Sequence, residues 1–522
     1  MSIFSYDFWS FWWQSNDPND NIAQILLGIS LMLFTISWYS WMFNSNSKPK
    51  HMLLPPGPRG LPVVGNLPFL KPEFHSYLAS LARTYGPILT LRLGQKISIV
   101  ITSPALAREV LKDNDVNFAN RDVPAVTKAM EIGACDIVWT QYGPQWRMLR
   151  KVSVLGMLGH SILDTVYNLR QQEIRNTCKY LYDQANCPVN LGEQMFLTVL
   201  NVITNMLWGG TVKGKERDAI AMEFRQAVAE VSDSLAKPNI SDFFPVLSRF
   251  DLQGIKKKAE GANKKLDRIF DDVIDQRLKM NNGETESKDF LQVLLQLKDD
   301  TDAKVPLTMN HVKALLLDMV VGGTDTASNT IEFAMAELMN SPQIMKKAQQ
   351  EIDLVVGNDN TVEESHLHKL HYLKNIMKEV LRLHPALPLL VPHSPSESCI
   401  IGGYTIPKGS RVFINAWAIQ RDPSIWENPL EFRPERFSDG KLDYSGHDFS
   451  YFPFGSGRRI CAGLPMAERT VMYFLASLLH SFNWELPAGE NIDVSEKFGI
   501  VLKKKVPLVV VPSPRLSPSV FS

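Results

Sequence analysis

The sequence predicts a mainly α-helical protein with small β-sheets and an N-terminal transmembrane helix. Residues 22–43 carry no charged side chain, as a membrane-spanning helix requires. The rest of the chain is dominated by long stretches with apolar residues at helical spacing, and short alternating segments are few. Neither an internal repeat nor a low-complexity segment divides the 522 residues, so we expect one large body after the N-terminal helix.

Charge and cysteine content narrow the class of protein. The 55 basic and 55 acidic residues cancel, which gives no support for nucleic-acid binding. The cysteines are sparse and odd in number, which argues against a disulfide framework and for a reducing compartment. They are Cys135, Cys178, Cys187, Cys399 and Cys461.

The first element is the membrane anchor, which we place at residues 1–47 with its helix at about 22–43. As a helix, this stretch would span about 33 Å, enough to cross the apolar part of a bilayer. A cleaved signal peptide would have a shorter apolar region with positive charge before it, whereas Asp7, Asp17 and Asp20 precede this one. Lys48 and Lys50 follow it, which places the downstream body in the cytosol. A buried soluble helix is the alternative.

A proline-rich segment, residues 48–68, comes next. Its prolines fix φ and lack backbone donors, so we expect a stiff hinge that holds the body at a set angle to the membrane. An ordinary proline-rich linker would have the same composition. Residues 69–522 then form the large helical body.

Within the body, the segment 88–102 alternates around Gly94-Gln95 and predicts a hairpin of two strands. A helix should follow Pro104. Amphipathic stretches predict further helices at roughly 160–186, 213–235, 254–280 and 310–340, and residues 280–289 form a polar loop. Short strands should return at 399–415 around a Gly-Gly turn.

The predicted helix at 311–340 contains residues that do not suit a helix interior. Gly322 and Gly323 each cost about 1 kcal/mol relative to alanine, and Asp325 and Thr326 follow them. The glycines would allow another group to approach, and Thr326 can hydrogen-bond back to a carbonyl and bend the helix. The pattern indicates a functional site, although a tolerated kink would explain it equally well.

A single thiol, Cys461, lies among Gly455, Gly457 and Gly463, just before an apolar helix. The helix N-terminus and the neighbouring arginines favour a thiolate of low pKa. A nucleophile would need a base or a resolving cysteine, and a zinc site would need further ligands at a recognisable spacing. An axial ligand to haem iron needs neither. A buried structural cysteine would leave the glycines and arginines unexplained.

Two further motifs are weak when taken alone. Glu379 and Arg382 are three residues apart on one helix face, which is usually an exposed ion pair, and Arg436 is a possible third partner in a buried charge network. Trp146 and Arg150 lie one helical turn apart on a basic, aromatic face. Such a face suits an anionic ligand, but it is more often solvated.

Together these motifs resemble the cytochrome P-450 family over nearly the full chain. The F-x-x-G-x-R-x-C-x-G haem-thiolate signature of that family is matched by Phe454, Gly457, Arg459, Cys461 and Gly463. Residues 322–326 are similar to its oxygen-activating helix, and residues 146–150 to its haem-propionate helix. Glu379-x-x-Arg382 with residues 434–437 is similar to its stabilising triad. The anchor and hinge resemble the microsomal type. Residues 322–338, 421–437 and 496–508 resemble plant members in particular, first terpenoid-oxidising and next flavonoid-oxidising ones.

The resemblance implies the cofactors and their ligands. Cys461 would bind the iron of haem b as an axial thiolate, and electrons from NADPH would arrive through a reductase. Asp325 and Thr326 would supply protons for oxygen activation. The structural triad would be Glu379, Arg382 and Arg436. The haem contacts would be Trp146, Arg150, His393, Gly455, Arg459 and Gly463.

Two residues depart from the family pattern. Ala327 stands where many relatives have threonine or serine. His393 stands where plant relatives usually carry an arginine. Because histidine titrates near neutrality, we expect haem affinity to depend more strongly on pH.

The resemblance also implies a substrate region and a location. The substrate would be a small hydrophobic plant specialised metabolite, first a terpenoid and next a flavonoid or phenylpropanoid, oxidised with O2 by an enzyme anchored in the endoplasmic reticulum membrane. An oxygen-independent isomerase or dehydratase on the same fold and a haem-binding sensor are the alternatives. The predicted substrate contacts are Leu317, Val321, Leu389, Leu390, Phe498 and Ile500.

Overall fold

The computed structural model describes six stretches of the chain. They are residues 18–44, 53–130, 133–209, 214–280, 289–299 and 304–517.

Helices dominate the described residues, as the sequence predicts. The α-helices are α1 (Pro18–Asn44), α2 (Phe74–Tyr85), α3 (Pro104–Arg108), α4 (Ala125–Ala129), α5 (Pro144–Ser153), α6 (His160–Thr165), α7 (Tyr167–Asp183), α8 (Leu191–Trp208), α9 (Gly214–Ala236), α10 (Ile240–Phe243), α11 (Ile255–Met280), α12 (Phe290–Lys298), α13 (Met309–Asn340), α14 (Pro342–Val356), α15 (His371–Leu383), α16 (Ala416–Ile419) and α17 (Leu464–Ser481). Two π segments continue α3 and α5 at Glu109–Asp113 and Val154–Leu158. Short 3-10 segments lie at Leu67–Phe69, Pro245–Phe250, Glu364–Lys369, Pro434–Phe437 and Gly457–Arg459.

The strands are short and form small sheets. They are β1 (Ile88–Leu93), β2 (Lys96–Ile101), β3 (Asn120–Arg121), β4 (Val189–Asn190), β5 (His393–Ser394), β6 (Cys399–Ile401), β7 (Tyr404–Ile406), β8 (Arg411–Ile414), β9 (Phe482–Glu485), β10 (Glu496–Lys497), β11 (Lys503–Lys504) and β12 (Val509–Pro514). The largest sheet has the order β1-β2-β8-β5-β3, and the smaller ones are β4-β12-β9, β10-β11 and β6-β7.

Both predicted hairpins are confirmed. β1 pairs antiparallel with β2 from Ile88 opposite Ile101 to Leu93 opposite Lys96, and Gly94 takes a φ of 59° at the turn. β6 and β7 pair around Gly402 and Gly403, whose φ values are 55° and 79°. Positive φ is the reason that glycine is needed at these turns.

Helix α13 forms the centre of the largest core cluster, where it packs against α8, α15 and α17. It begins with a capping box: His311 N–H donates to Thr308 Oγ1 at 3.3 Å, and Thr308 N–H donates to His311 Nδ1 at 3.0 Å. The helix continues through Gly322 and Gly323 without a break. Its side chains are buried on all faces beyond Ala327, which is typical of a helix inside a large core.

Three other predicted helices are found at their expected places, with one difference. The stretches 213–235 and 254–280 correspond to α9 and α11. The stretch 160–186 is divided into α6 and α7, because Val166 leaves the helical conformation with a φ of −101° and a ψ of 16°. Most of the predicted polar loop, residues 281–288, lies outside the described residues.

The proline-rich segment is docked on the body along β1. Thr90 N–H donates to the Pro56 carbonyl at 2.8 Å, and Asn66 N–H donates to the Arg92 carbonyl at 2.6 Å. Where the segment is described, from residue 53 onward, it therefore lies in a fixed direction.

The N-terminal segment contains helix α1, and each of its described side chains, from Leu26 to Tyr39, is exposed. Among the described residues, no helix has the length and apolarity needed to cross a membrane.

Candidate active site

A cavity of about 290 Å³ lies inside the helical body. One wall is the face of α13 that carries Asp318, Gly322 and Thr326. The opposite wall is the segment 453–463 with the start of α17, and α5 and residues 386–393 close the sides. Every predicted haem contact lines this cavity, together with Cys461.

Cys461 lies between the 3-10 turn Gly457–Arg459 and the first turn of α17. Its side chain is exposed, and because the residue lines the cavity, that surface faces the interior. Its N–H donates to the Phe454 carbonyl at 3.0 Å, which closes the loop. Gly455 makes this loop possible with a φ of 75°.

The expected low pKa of this thiol is wrong for the protein alone. Burial raises the pKa of the Cys461 thiol, and the Gly463 N–H and the Arg150 charge offset only part of that effect. Arg458 contributes little, because it pairs with Asp115 at 3.1 Å instead. A coordinated metal ion deprotonates a thiol outright, so a bound metal would supply what the helix N-terminus does not.

Three arginines converge on the cavity. Arg150 donates to the Ile460 carbonyl at 2.6 Å, and Arg459 donates to the carbonyls of Ala119, Ile137 and Thr140. Arg121 donates to the carbonyl of Val391. Burial lowers the pKa of all three guanidinium groups, to about 10 for Arg459. Backbone carbonyls thus hold three positive charges in place without neutralising them.

Arg121 is a residue that the sequence analysis missed. It lies in the two-residue strand β3, and no local sequence pattern indicates a functional role for this arginine. The tertiary fold places it beside Arg459. Burial is the main cause of the lowered pKa of Arg121, and the charge of Arg459 lowers this pKa further. Its Nε is buried without a hydrogen-bond partner among the described residues.

Trp146 lines the cavity and also makes two contacts within the protein. Its ring lies under the Arg459 guanidinium at 4.5 Å, and its Nε1–H donates to the Ile137 carbonyl at 3.1 Å. The indole therefore orients Arg459 by a cation–π contact while its N–H holds the loop before α5.

His393 is buried, and its Nδ1 lies 2.8 Å from the Phe118 carbonyl, to which it donates. The pKa of His393 is well below its ordinary value, mainly because the imidazole is buried and also because Arg121 is positively charged. The imidazole is therefore neutral near pH 7, and the expectation that it titrates near neutrality is wrong.

The residues around the cavity fit haem. Cys461 offers one soft ligand atom, and a haem iron needs a single axial ligand on that side. Three guanidinium groups, of which the buried Arg121 has an Nε without a partner among the described residues, suit the two carboxylates of the cofactor. Gly455 and Gly463 leave the wall beside the thiol free of side chains, and a Cβ at Gly463 would stand 3.9 Å from the Cys461 sulfur.

On the opposite wall, Thr326 faces the cavity and its Oγ1 donates to the Gly322 carbonyl at 2.7 Å. A Cβ at Gly322 would meet nothing within 4 Å, whereas one at Gly323 would lie 2.8 Å from Ile203 Cδ1. The close approach that the glycines predict is therefore open toward the cavity at Gly322 and is filled by Ile203 at Gly323. Asp325 lies outside the cavity lining, and its carboxylate pairs with Lys503 at 3.0 Å. The two residues of the predicted acid–alcohol pair thus point to different surroundings.

Asp318 is a second residue that the sequence analysis missed. It lines the cavity, and its Oδ2 accepts a hydrogen bond from Ile137 N–H at 2.7 Å. Burial, with the nearby Asp136 carboxyl, raises the pKa of Asp318 well above its ordinary value. Burial likewise raises the pKa of Asp136 to about 6.

The structure brings the predicted triad together in the core below the cavity. Arg382 makes two hydrogen bonds to Glu379, at 2.7 and 2.8 Å, and Arg436 Nε lies 3.3 Å from the same carboxylate. Arg433 N–H adds a fourth bond at 2.9 Å. The Glu379 and Arg382 side chains have no exposed surface, so this is a buried network and not the exposed pair that the spacing alone suggests.

Of the six predicted substrate contacts, only Leu390 lines the cavity. Leu317 and Val321 each lie one residue before cavity-lining positions on α13, which turns them about 100° away from the cavity. Leu389 is buried in another core cluster, whereas Leu390, which has a φ of 52°, lines the cavity. Phe498 packs against Phe74 and His75, and Ile500 is exposed.

The family model described as Cytochrome P450 matches residues 55–511. The chain is 41% identical to flavonoid 3',5'-hydroxylase of Crocosmia x crocosmiiflora, over 95% of this chain and 98% of that protein. It is 42% identical to flavonoid 3'-monooxygenase of Arabidopsis thaliana, over 90% and 93%. It is 39% identical to geraniol 8-hydroxylase of Catharanthus roseus, over 93% and 98%.

Solved structures of a zebrafish cytochrome P450 are also similar. With progesterone, the structure gives a TM-score of 0.73 at 26% identity and covers 84% of this chain and 99% of that chain. With abiraterone, the TM-score is 0.71 over the same shares. The predicted fold of helices and small sheets is confirmed by this likeness.

Proposed function

The chain belongs to the cytochrome P450 family, and from that premise we propose that Cys461 is the axial ligand of its haem iron and that the substrate is a lipophilic plant metabolite. The chain is a monooxygenase with a haem-thiolate cofactor, and its electrons come from NADPH through a reductase. Haem bound in the cavity supplies the oxygen-activating chemistry.

The observation that carries the Cys461 assignment is a single thiol that lines the same cavity as three guanidinium groups. Cys461 would hold the metal as a thiolate, and the Gly463 N–H and Arg150 would stabilise its negative charge. Arg121, Arg150 and Arg459, whose positions are fixed by backbone carbonyls, would hold the cofactor carboxylates. His393 supports Arg121 as a neutral neighbour, and Gly455 keeps the wall open.

We assign oxygen chemistry to Thr326 and Asp325. The Thr326 hydroxyl lies in the cavity wall and donates to the Gly322 carbonyl, so its oxygen can accept a hydrogen bond from the cavity. Asp325 connects the adjacent backbone to Lys503, whose side chain is half exposed. We propose that this ion pair, which lies outside the cavity lining, is the source of the protons and that the Thr326 hydroxyl receives them in the cavity. Glu379, Arg382 and Arg436 hold the core beneath the cofactor.

For the substrate, we propose a terpenoid as the first candidate. The cavity wall is mainly apolar, with Leu158, Val199, Met319 and Leu390 among its residues, which suits a lipophilic molecule. Relatives named geraniol 8-hydroxylase support a terpenoid. A flavonoid is the second candidate, because relatives at 41% and 42% identity are named flavonoid hydroxylase and monooxygenase.

We further propose that residues 1–47 anchor the enzyme in the endoplasmic reticulum membrane, that residues 48–68 form the hinge and that residues 69–522 form the cytosolic catalytic domain. Exposed apolar side chains along α1, among them Leu31, Met32 and Phe34, support an apolar environment for this helix. The basic residues after the helix support the orientation.

Replacement of Cys461 by alanine tests the axial ligand. We expect the reduced, CO-bound variant to lose the red-shifted Soret band that a thiolate ligand produces. Cys399→Ala is the control, because this thiol lies in strand β6, away from the cavity, and its variant should keep the band. A red-shifted band in Cys461→Ala would disprove the assignment. Turnover of terpenoid and flavonoid panels with reductase and NADPH then decides between the two substrate classes.

A further inference from the structure

Asp318 is a cavity-lining carboxyl to which the proposed mechanism gives no role. It lies eight positions before Thr326 on α13, so the two side chains are separated by about 12 Å along the helix axis. Helical spacing places Met319, Gly322 and Gly323 on the same face between them. The carboxyl is therefore at the end of the cavity remote from the proposed oxygen site.

One oxygen of this carboxyl is fixed by the loop before α5. Oδ2 accepts from Ile137 N–H at 2.7 Å, and among the described residues this is the only hydrogen bond of the Asp318 side chain. The Ile137 carbonyl in turn accepts from Trp146 Nε1 at 3.1 Å and from Arg459 Nη1 at 3.0 Å. The peptide units before and after Ile137 are thus both held, and the carboxyl cannot turn freely.

The other carboxyl oxygen, Oδ1, is available to hydrogen-bond a molecule in the cavity. Asp318 keeps some accessible surface although its neighbours on α13 are buried, and a residue that lines the cavity exposes that surface to its interior. Because Oδ2 acts as an acceptor, a proton on the carboxyl resides on Oδ1.

The electrostatic surroundings favour that proton. Burial raises the pKa of Asp318 well above its ordinary value, and the Asp136 carboxyl raises it further. The charged groups at this end of the cavity are Asp136 and Arg459, and the Arg459 charge stabilises the Asp136 carboxylate. Asp318 is therefore the carboxyl of the pair that stays protonated near pH 7, as a hydrogen-bond donor in an apolar wall.

We propose that Asp318 determines substrate specificity by donating a hydrogen bond from Oδ1 to a hydroxyl or carbonyl oxygen of the substrate. This inference rests on the proposed function. The substrate class is a neutral, lipophilic molecule that carries an oxygen atom remote from the carbon to be oxidised. A donor in a dry cavity favours such a molecule over the hydrocarbon of the same shape, since the hydrocarbon leaves the donor unpaired.

The test compares ligand pairs that differ by one oxygen. The probes are geraniol with the hydrocarbon of the same skeleton, and a naphthol with naphthalene. Dissociation constants are measured by equilibrium dialysis against haem-loaded, full-length protein, so turnover is not needed. The variants are Asp318→Leu, which removes the donor, Asp318→Asn, which keeps a donor and an acceptor, and Met319→Leu, which changes only the apolar wall.

We expect wild type to prefer the oxygenated member of a pair, and Asp318→Leu to reduce that preference roughly 2- to 12-fold. Asp318→Asn should retain most of it, and Met319→Leu should change both affinities of a pair equally. A purely structural role for Asp318 would weaken both members alike, so an unchanged preference in Asp318→Leu overturns the proposal.

The wild type alone can also refute the inference. If neither oxygenated probe binds, or if wild type binds the hydrocarbons as tightly, the proposal is wrong even if Asp318→Leu does not fold. An intact reduced-CO band in the same preparation would leave the haem-thiolate assignment standing, so the two failures are distinguishable.

Discussion

Replacement of Glu379 by glutamine should destabilise the whole body, because this carboxylate neutralises a guanidinium that has no access to water. Glu379 and Arg382 have no exposed side-chain surface, and four hydrogen bonds from Arg382, Arg433 and Arg436 end on the carboxylate. Glutamine keeps the shape but removes the charge, and its NH2 group would face donors of Arg382. A buried positive charge would be left without compensation.

The size of the effect follows from the burial. Removal of one partner of a buried ion pair costs about 3–5 kcal/mol. At about 2.1 cal/mol/K per residue, a body of roughly 450 residues unfolds with an entropy near 1 kcal/mol/K. The expected fall in Tm is therefore about 3–5 °C. Haem loading should fall as well, because the network connects α15 with the segment 428–436.

Thermal unfolding of the haem-loaded protein, followed by far-UV circular dichroism and by Soret absorbance, measures this shift. Glu260→Gln is the matched control: it makes the same chemical change in an exposed pair with Lys256, where the cost is below about 1 kcal/mol. Equal Tm values for the two variants would refute the reasoning, since burial would then have no effect on the cost of losing the charge.

Three other predictions concern oxygen chemistry, pH and membrane association. Thr326→Ala should keep its haem but form less product per NADPH oxidised, by a factor of about 10² or less, and release more hydrogen peroxide. Ser328→Ala on the same helix is the control and should keep the wild-type ratio of product to NADPH. An unchanged ratio in Thr326→Ala would argue against a role for its hydroxyl. Because burial raises the pKa of Asp136 to about 6, its contribution to stability is fully present below about pH 4 and is lost as the pH rises through about 6. Asp136→Asn should therefore reduce the fall in Tm between about pH 4 and pH 7, and an equally steep fall in the variant would contradict this assignment. Removal of residues 1–47 should shift much of the protein from the membrane pellet to the supernatant, and an unchanged pellet fraction would count against the anchor.

Local sequence patterns identified the residues whose role depends on their immediate neighbours. The hairpins at Gly94 and Gly402-Gly403 follow from glycine at positive φ between alternating segments. The glycines around Cys461 and the start of α17 just after it are likewise local features. The three-residue spacing of Glu379 and Arg382 indicated a pair, but spacing carries no information on burial, and the burial gives the pair its energy.

Tertiary packing decided which side chains reach the cavity. A shift of one residue along α13 separates the predicted Leu317 from the observed Asp318, because each step turns the side chain by about 100°. The sequence is compatible with either Leu317 or Asp318 on the cavity face, since both positions lie in the same helical stretch. Only the packing of α13 against α8 and α17 selects the face that lines the cavity.

The sequence by itself determined the family, the helical fold and the thiol, because each is encoded in residue types at short, fixed spacings. Tertiary structure alone decided the electrostatics of the site. Arg121 and Arg459 are close in space although more than three hundred residues separate them in the sequence. Asp325 likewise pairs with the distant Lys503, and burial raises the pKa of the Cys461 thiol. The physical reason is that charge interactions and desolvation depend on distance in space, and the chain brings these groups together only when the core is packed.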